Sequence, residues 1–168
     1  MRNFSKPTLA ACAALTLFAA CSKDDKDGKE DQSVTVTPTK SKKDMLVGAK
    51  WQMTSAKESW MDKGQSKNRD LFADMVPCEK DDFIMFTADG KVTFDLGPTQ
   101  CDTGDKSETT NWEFIANDTK IIFSSPKWND KDTLDVVDLT DNIWKTKDVY
   151  KDDSARVITG EYSYKRIN

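Results

Sequence analysis

From residue 44 onward, the chain consists of short segments in which apolar and polar residues alternate, separated by turn signals. Successive side chains of a strand point to opposite faces, so this pattern is typical of antiparallel sheet with one buried face. Eight segments show it, at residues 50–57, 83–86, 91–95, 109–114, 119–124, 132–139, 142–150 and 156–166. They predict an all-β domain that closes into an eight-stranded antiparallel up-and-down barrel, because closure removes the exposed edges of an open sheet.

A long polar stretch at residues 58–75 separates the first segment from the second. It carries Trp60 and Phe72 among mainly polar residues. We expect an insertion between two strands at this point, with room for a short helix.

The clearest turn lies between residues 83–86 and residues 91–95, where the sequence reads Thr87-Ala88-Asp89-Gly90. Aspartate favours the start of a turn, and glycine accepts a positive φ at no steric cost. The two segments are therefore predicted to form a hairpin in which Phe86 faces Val92.

This hairpin also bears on the cysteines. Residues paired across an antiparallel hairpin have a constant sum of residue numbers, and Cys78 and Cys101 come within one of the sum set by Phe86 and Val92. Continuing the ladder outward brings the two cysteines nearly opposite each other, which predicts a disulfide. The competing interpretation, a two-thiolate metal site, lacks further ligands because the chain contains no histidine.

The first 21 residues have the parts of a bacterial lipoprotein signal. Arg2 and Lys6 precede an apolar run at residues 7–20, which ends in small residues before Cys21. The run is shorter than the about 20 apolar residues that a membrane-spanning helix needs. Residues 1–20 are thus predicted to be cleaved, leaving Cys21 as the acylated first residue. The alternatives are an ordinary signal peptide and a cut before Cys12, which would leave almost no apolar run.

Residues 21–43 are rich in Lys, Asp, Glu, Ser and Thr and have hardly any apolar residue. Such a segment cannot offset the entropy of ordering it, so we expect a disordered acidic tether. It would hold a folded domain, residues 44–168, clear of the lipid headgroups. Loss of Arg2 and Lys6 with the signal changes the net charge from −4 to −6.

Composition and motifs argue against several classes of function. The acidic chain has no basic patch with interleaved aromatics, so nucleic acid is not an expected partner. The lack of histidine removes the commonest general base, and no glycine-rich loop leads into a helix, so neither catalysis nor a cofactor is predicted. Four carboxylates near turns remain as candidates for an acid–base pair: Glu79, Asp81, Asp82 and Asp95. Acids in such positions are usually solvated or capping residues.

Together these residues resemble the lipocalin-like domain of small secreted lipoproteins from Gram-negative bacteria. The resemblance covers about residues 45–168 and is most specific between the cysteines. It rests on Leu46-Val47-Gly48-Ala49-Lys50-Trp51, Cys78-Glu79-Lys80-Asp81-Asp82-Phe83, Phe86-Thr87-Ala88-Asp89-Gly90, Asp95-Leu96-Gly97, Cys101, Trp112 and Tyr164-Lys165-Arg166-Ile167. Lipocalins usually have one residue between the glycine and the tryptophan of the first motif, whereas Ala49 and Lys50 both intervene here.

The resemblance implies a barrel that binds a small lipophilic molecule. The residues proposed to contact that ligand are aromatic: Trp51, Phe83, Phe94, Trp112, Phe114 and Phe123. The same rings would alternatively fill the barrel, because an eight-stranded barrel is only just wide enough for one small ligand. In that case the domain would be an interaction module that binds proteins or glycans through its loops. Aromatic residues in or near polar loops would then form the rim: Trp60, Phe72, Trp128 and Trp144. The interior volume separates the two hypotheses.

The location follows from the N-terminus. Cys21-Ser22-Lys23-Asp24-Asp25 resembles the tag that, in some of these bacteria, sends lipoproteins to the outer leaflet of the outer membrane. We therefore expect a monomeric outer-membrane lipoprotein that faces the cell exterior, with the periplasmic face as the alternative.

Overall fold

The computed structural model describes residues 40–101, 103–127 and 129–168. The predicted signal peptide, Cys21 and most of the predicted tether lie outside these residues. The described part contains nine strands and three short helices. The strands are β1 (Lys50–Asp62), β2 (Gln65–Asp70), β3 (Phe83–Phe86), β4 (Lys91–Asp95), β5 (Ser107–Ile115), β6 (Lys120–Ser125), β7 (Asp130–Leu139), β8 (Ile143–Lys151) and β9 (Val157–Ile167). The helices are α1 (Lys42–Leu46), α2 (Leu71–Asp74) and a 3₁₀ helix (Pro77–Glu79).

Eight of the strands form a closed antiparallel barrel, which confirms the predicted fold class. From β3 to β9 each strand pairs with the next along the chain, and β1 pairs with β3 on one edge. The other edge of β1 pairs with β9, from Lys50 opposite Ile167 to Trp60 opposite Ile158, and this ladder closes the barrel.

The ninth strand, β2, differs from the prediction. The first strand was expected to end at Lys57, but β1 continues to Asp62 and turns back into β2. Lys63 and Gly64 form the turn, with φ of 48° and 79°. Two consecutive positive φ values are typical of the tight hairpin turns whose twist matches that of the strands. The insertion at residues 58–75 therefore holds a strand as well as the short helix α2.

The hairpin of β3 and β4 has the predicted bounds and register. Phe86 pairs with Val92, and Gly90 has a φ of 81°. Beyond the end of this ladder, Cys78 and Cys101 form a disulfide with a Cα–Cα distance of 5.4 Å. The predicted pairing of the two cysteines is confirmed.

One end of the barrel, here called the closed end, is filled with large side chains. Trp51, Phe86 and Trp144 are 0% exposed, and their rings meet edge to face. Leu46 of α1 is equally buried, and its carbonyl oxygen accepts a hydrogen bond of 3.0 Å from Trp51 Nε1. Trp51 thus packs across the barrel base even though two residues separate it from Gly48.

The short helix α1 covers this end. Ser41 Oγ accepts a hydrogen bond from the Asp44 amide at 3.1 Å, and the Asp44 carboxylate accepts one from the Ser41 amide at 3.3 Å. These reciprocal bonds form a capping box, which stabilises a helix that is too short to persist alone. Lys42 and Lys43, which the sequence assigned to the tether, belong to this helix.

Candidate functional site

The opposite end of the barrel, here called the open end, holds a cavity of about 690 Å³. Ligand pockets in proteins typically have volumes of about 300–1,000 Å³. Seven of the eight barrel strands line the cavity, all except β1. Strand alternation aims every second side chain inward, and each of the seven strands contributes one to four residues.

One wall of the cavity is apolar. Phe94 of β4 and Phe123 of β6 meet edge to face with ring centroids 5.8 Å apart. Ile84 and Leu134 extend this wall on β3 and β7. The deepest lining residue is Trp144, whose ring stacks on Tyr164 at 4.4 Å and also belongs to the core of the closed end.

The opposite wall, formed by β8 and β9, is aromatic and polar. Tyr150, Tyr162 and Tyr164 line it together with Asp148. Asp148 pairs with Gly160 across the two strands. A Cβ atom at Gly160 would lie 2.3 Å from Asp148 Oδ1 and 2.5 Å from the Tyr162 hydroxyl oxygen. Glycine at this position therefore leaves room for the carboxylate and the phenol inside the barrel.

Three inward-facing residues of β8 carry buried polar atoms that have no hydrogen-bond partner within the described chain. They are Trp144 Nε1, Thr146 Oγ1 and Asp148 Oδ1. Thr146 is 1% exposed and does not line the cavity, whereas Trp144 and Asp148 do. Buried polar atoms are normally hydrogen-bonded in folded proteins, so the atoms of Trp144 and Asp148 leave two unpaired polar positions in the cavity wall.

Burial shifts the acidity of this wall. It raises the pKa of Asp148 and, together with the nearby charges of Asp148 and Glu58, raises the pKa of Tyr162 to about 12. Burial also raises the pKa of Tyr164. The Tyr150 hydroxyl donates a hydrogen bond to the Glu58 carboxylate, which raises the pKa of Tyr150. All three phenols therefore stay protonated at neutral pH.

Comparison with known proteins places this architecture in a family. The model of the lipocalin-like domain family matches residues 46–145, more than half of the chain. The chain belongs to the lipocalin-like domain family. Among solved structures, the bovine odorant-binding protein in complex with a selenium-containing odorant is similar, with 11% identity and a TM-score of 0.41 over 79% of this chain and 76% of that chain. No curated protein sequence matches significantly.

Within the lipocalin-like barrel, the six aromatic residues predicted to contact a ligand occupy three different places. Phe94 and Phe123 line the cavity. Trp51, Trp112 and Phe114 pack in or against the core of the closed end. Phe83 lies on the face of β3 opposite to Ile84, under the Lys50 ammonium at 4.8 Å. Ligand contact stays a prediction, and among the six the cavity favours Phe94 and Phe123.

The aromatic residues assigned to a loop rim are also dispersed. The hypothesis that Trp144 forms part of an exposed rim is wrong, because it is 0% exposed on β8. Trp60 lies near the end of β1 under the Arg156 guanidinium at 5.4 Å, and Phe72 of α2 lies under the Lys80 ammonium at 5.3 Å. Trp128 lies outside the described residues.

The four carboxylates singled out from the sequence lie near the disulfide. Burial, followed by the charges of Asp81, Glu79 and Asp95, raises the pKa of Asp82. Asp81 accepts a hydrogen bond from the Thr99 amide, and Asp95 accepts one from the Gly97 amide. Asp81 and Asp95 thus organise the loop that leads to Cys101. Among the described residues, no group of three or more acidic or thiol side chains is arranged to hold a metal ion.

The sequence reasoning missed the tyrosines of β9, Tyr150, and Asp148. A period of two along β8 contained the signal, because Trp144, Thr146, Asp148 and Tyr150 share one face of the strand. Trp144 was instead considered as a residue of an exposed rim, so its inward face of the strand was not used to assign the other three. None of the helices in the described part is long and apolar enough to cross a membrane.

Proposed function

We propose that this protein is a membrane-anchored, surface-exposed lipoprotein whose barrel binds a small, largely apolar molecule without chemical conversion. The cavity of about 690 Å³ at the open end is the observation that carries the binding proposal. A filled interior would instead have favoured an interaction module. Burial of apolar ligand surface at about 25 cal/mol per Å² would drive binding.

The polar atoms of the cavity support binding of a molecule that carries at least one polar group. Trp144 Nε1 has no partner in the described chain although the residue is 0% exposed. An unpaired buried donor costs roughly 1–3 kcal/mol, and a ligand acceptor that reached it would recover part of that free energy.

The anchor rests on the sequence. Cys21 follows an apolar run of signal length, and a polar tether separates it from the barrel. Mass spectrometry of the membrane fraction tests this part, with an acylated chain that begins at Cys21 as the expected result. Protease digestion of intact cells then distinguishes the exterior face from the periplasmic face.

The binding proposal is tested by titrating the purified protein with N-phenylnaphthylamine, a neutral probe whose fluorescence rises in apolar surroundings. We expect saturable binding. Leu134→Trp places a larger ring on the cavity wall and should reduce the affinity at least about tenfold by overpacking the site. Val137→Trp makes a comparable change on the same strand at a residue that is 60% exposed, and it should leave the affinity unchanged. Lack of saturable binding, or equal binding by both variants, would contradict the proposal.

A second candidate function is recognition of a partner through the outer face of the barrel near the open end. One observation favours it. Met61, Val149 and Val157 are 63%, 61% and 55% exposed. The ladder between β1 and β9 ends at Trp60 opposite Ile158, and Met61 and Val157 are the next residues along the two strands. Exposed apolar groups near one another often mark interaction surfaces.

A further inference from the structure

The charged residues that line the cavity are mainly acidic. Glu108, Asp132 and Asp148 contribute three carboxylates, and Lys131 contributes one ammonium group. Lys131 and Asp132 lie at the start of β7, near the mouth, and both are exposed. Asp148 is half-buried and lies four residues beyond Trp144 on β8. The deepest charge in the cavity is therefore negative.

The position of Asp148 inside the barrel is energetically costly. Its Oδ1 atom is buried and has no hydrogen-bond partner in the described chain. Burial is the main cause of its raised pKa and the charge of Asp132 adds to it, whereas hydrogen bonds from the backbone and from the Tyr162 hydroxyl to this carboxylate act in the opposite direction. A carboxylate in such surroundings is stabilised by a positive charge, and no lysine or arginine among the residues lining the cavity lies at its depth.

Aromatic rings share the cavity wall with this carboxylate. Tyr150 and Tyr162 line it on β8 and β9, and Tyr164 and Trp144 lie deeper. Because Gly160 has no side chain, Asp148 Oδ1 and the Tyr162 hydroxyl both approach its backbone inside the barrel. The faces of such rings attract cations, and a carboxylate surrounded by aromatic rings is a combination suited to an organic ammonium group.

We infer that the ligand of this barrel is an organic cation, an apolar or aromatic amine whose ammonium group binds Asp148 and whose apolar body lies against Phe94, Phe123 and Leu134. This inference rests on the proposed function and adds the chemical class of the ligand. Anionic amphiphiles such as fatty acids carry the wrong charge, because their carboxylate would meet Asp148 and Asp132 in a site of low polarity.

The test uses three ligands that share one apolar body and differ in charge: naphthylethylamine, naphthylethanol and naphthylacetate. Isothermal titration calorimetry at neutral pH measures each affinity for the purified protein. We expect the amine to bind at least about tenfold more tightly than the alcohol, and the carboxylate to bind most weakly. This comparison requires no variant, so it holds even if a substitution prevents folding.

Asp148→Asn removes the charge and keeps the shape of the side chain. It should weaken binding of the amine at least about tenfold and change binding of the alcohol less than about twofold. The matched control is Glu113→Gln, which removes the same charge from an exposed residue on the outer face of β5 and should change neither affinity.

Two results would overturn the inference while leaving the proposed function intact. In the first, the alcohol or the carboxylate binds as tightly as the amine; in the second, Asp148→Asn retains full affinity for the amine. Failure of all three ligands and of N-phenylnaphthylamine would instead contradict small-molecule binding itself, and the ligand class with it.

Discussion

The two ends of the barrel are built from the same strands but carry different side chains. At the closed end, Trp51, Phe86 and Trp144 are 0% exposed and pack edge to face under α1. At the open end, the inward faces of the same strands present tyrosines and Asp148 around a cavity. The packed core and the proposed binding site thus lie at different positions along the strand axis, so substitutions at the two ends should have different effects.

The largest expected effect comes from emptying the closed end. Trp51→Ala should lower the free energy of unfolding by about 3–5 kcal/mol, because it leaves a cavity and removes the partner of the Leu46 carbonyl. Urea denaturation measures the change. Phe94→Ala at the open end should cost about 1 kcal/mol or less, because Phe94 is already 37% exposed. Equal losses of unfolding free energy in the two variants would contradict the view that the closed end supplies most of the stability.

The disulfide restrains the open end. Cys78→Ala combined with Cys101→Ala should lower the free energy of unfolding by about 3 kcal/mol, since the bridge closes a loop with a sequence separation of 23. Reduction of the wild-type protein should have the same effect in urea denaturation. In hydrogen exchange, amides of β3 and β4 near the mouth should lose more protection than those near Phe86. Uniform loss along both strands would show that the bridge stabilises the whole barrel instead.

Gly160→Ala adds a methyl group at the place where Asp148 Oδ1 and the Tyr162 hydroxyl approach the Gly160 backbone. The clash of 2.3 Å with Asp148 Oδ1 should cost about 1–3 kcal/mol of stability by overpacking. It should also weaken binding of N-phenylnaphthylamine by displacing the Tyr162 ring. The neighbouring outward residue supplies the control, and Glu161→Ala should change stability by no more than about 0.5 kcal/mol. Unchanged binding in Gly160→Ala would place the probe elsewhere.

The smallest effect concerns the charge of Asp148. Its pKa is raised in the folded state, mainly by burial, so its contribution to stability is present below the unfolded pKa and is lost as pH rises through the folded pKa. Asp148→Asn should therefore stabilise the protein slightly near pH 7 but not near about pH 3, where the carboxyl group is protonated in both states. Urea denaturation at the two pH values tests this prediction. An equal difference in unfolding free energy between Asp148→Asn and the wild type at both pH values would contradict it.

The sequence predicted most of the fold because a two-residue period and turn residues leave few alternatives. Phe86 opposite Val92 followed directly from Asp89 and Gly90, and the cysteine pairing followed from that register. The strand β2 escaped because all six of its residues are exposed and polar, so no buried face imposes alternation.

The cavity was harder to predict than the barrel. Inward-facing aromatic residues look alike in sequence whether they fill the closed end, as Trp112 does, or line the open end, as Phe123 does. Their depth depends on how far each strand lies from the helix α1 along the barrel axis, which no local pattern encodes. The inward position of Asp148 was not predicted either, because a single acid on a strand usually points to solvent.

The outer edge of strand β2 affects whether neighbouring copies of this protein can aggregate. The strand pairs with β1 on one side, and no further described strand pairs with its other side. An unpaired strand edge is a template on which a second chain can add by backbone hydrogen bonding. Lys67, Arg69 and Asp70 place charges along this edge. For molecules crowded at the outer membrane, as proposed, those charges oppose edge-to-edge aggregation at the one strand of the described sheet that closure of the barrel leaves uncovered.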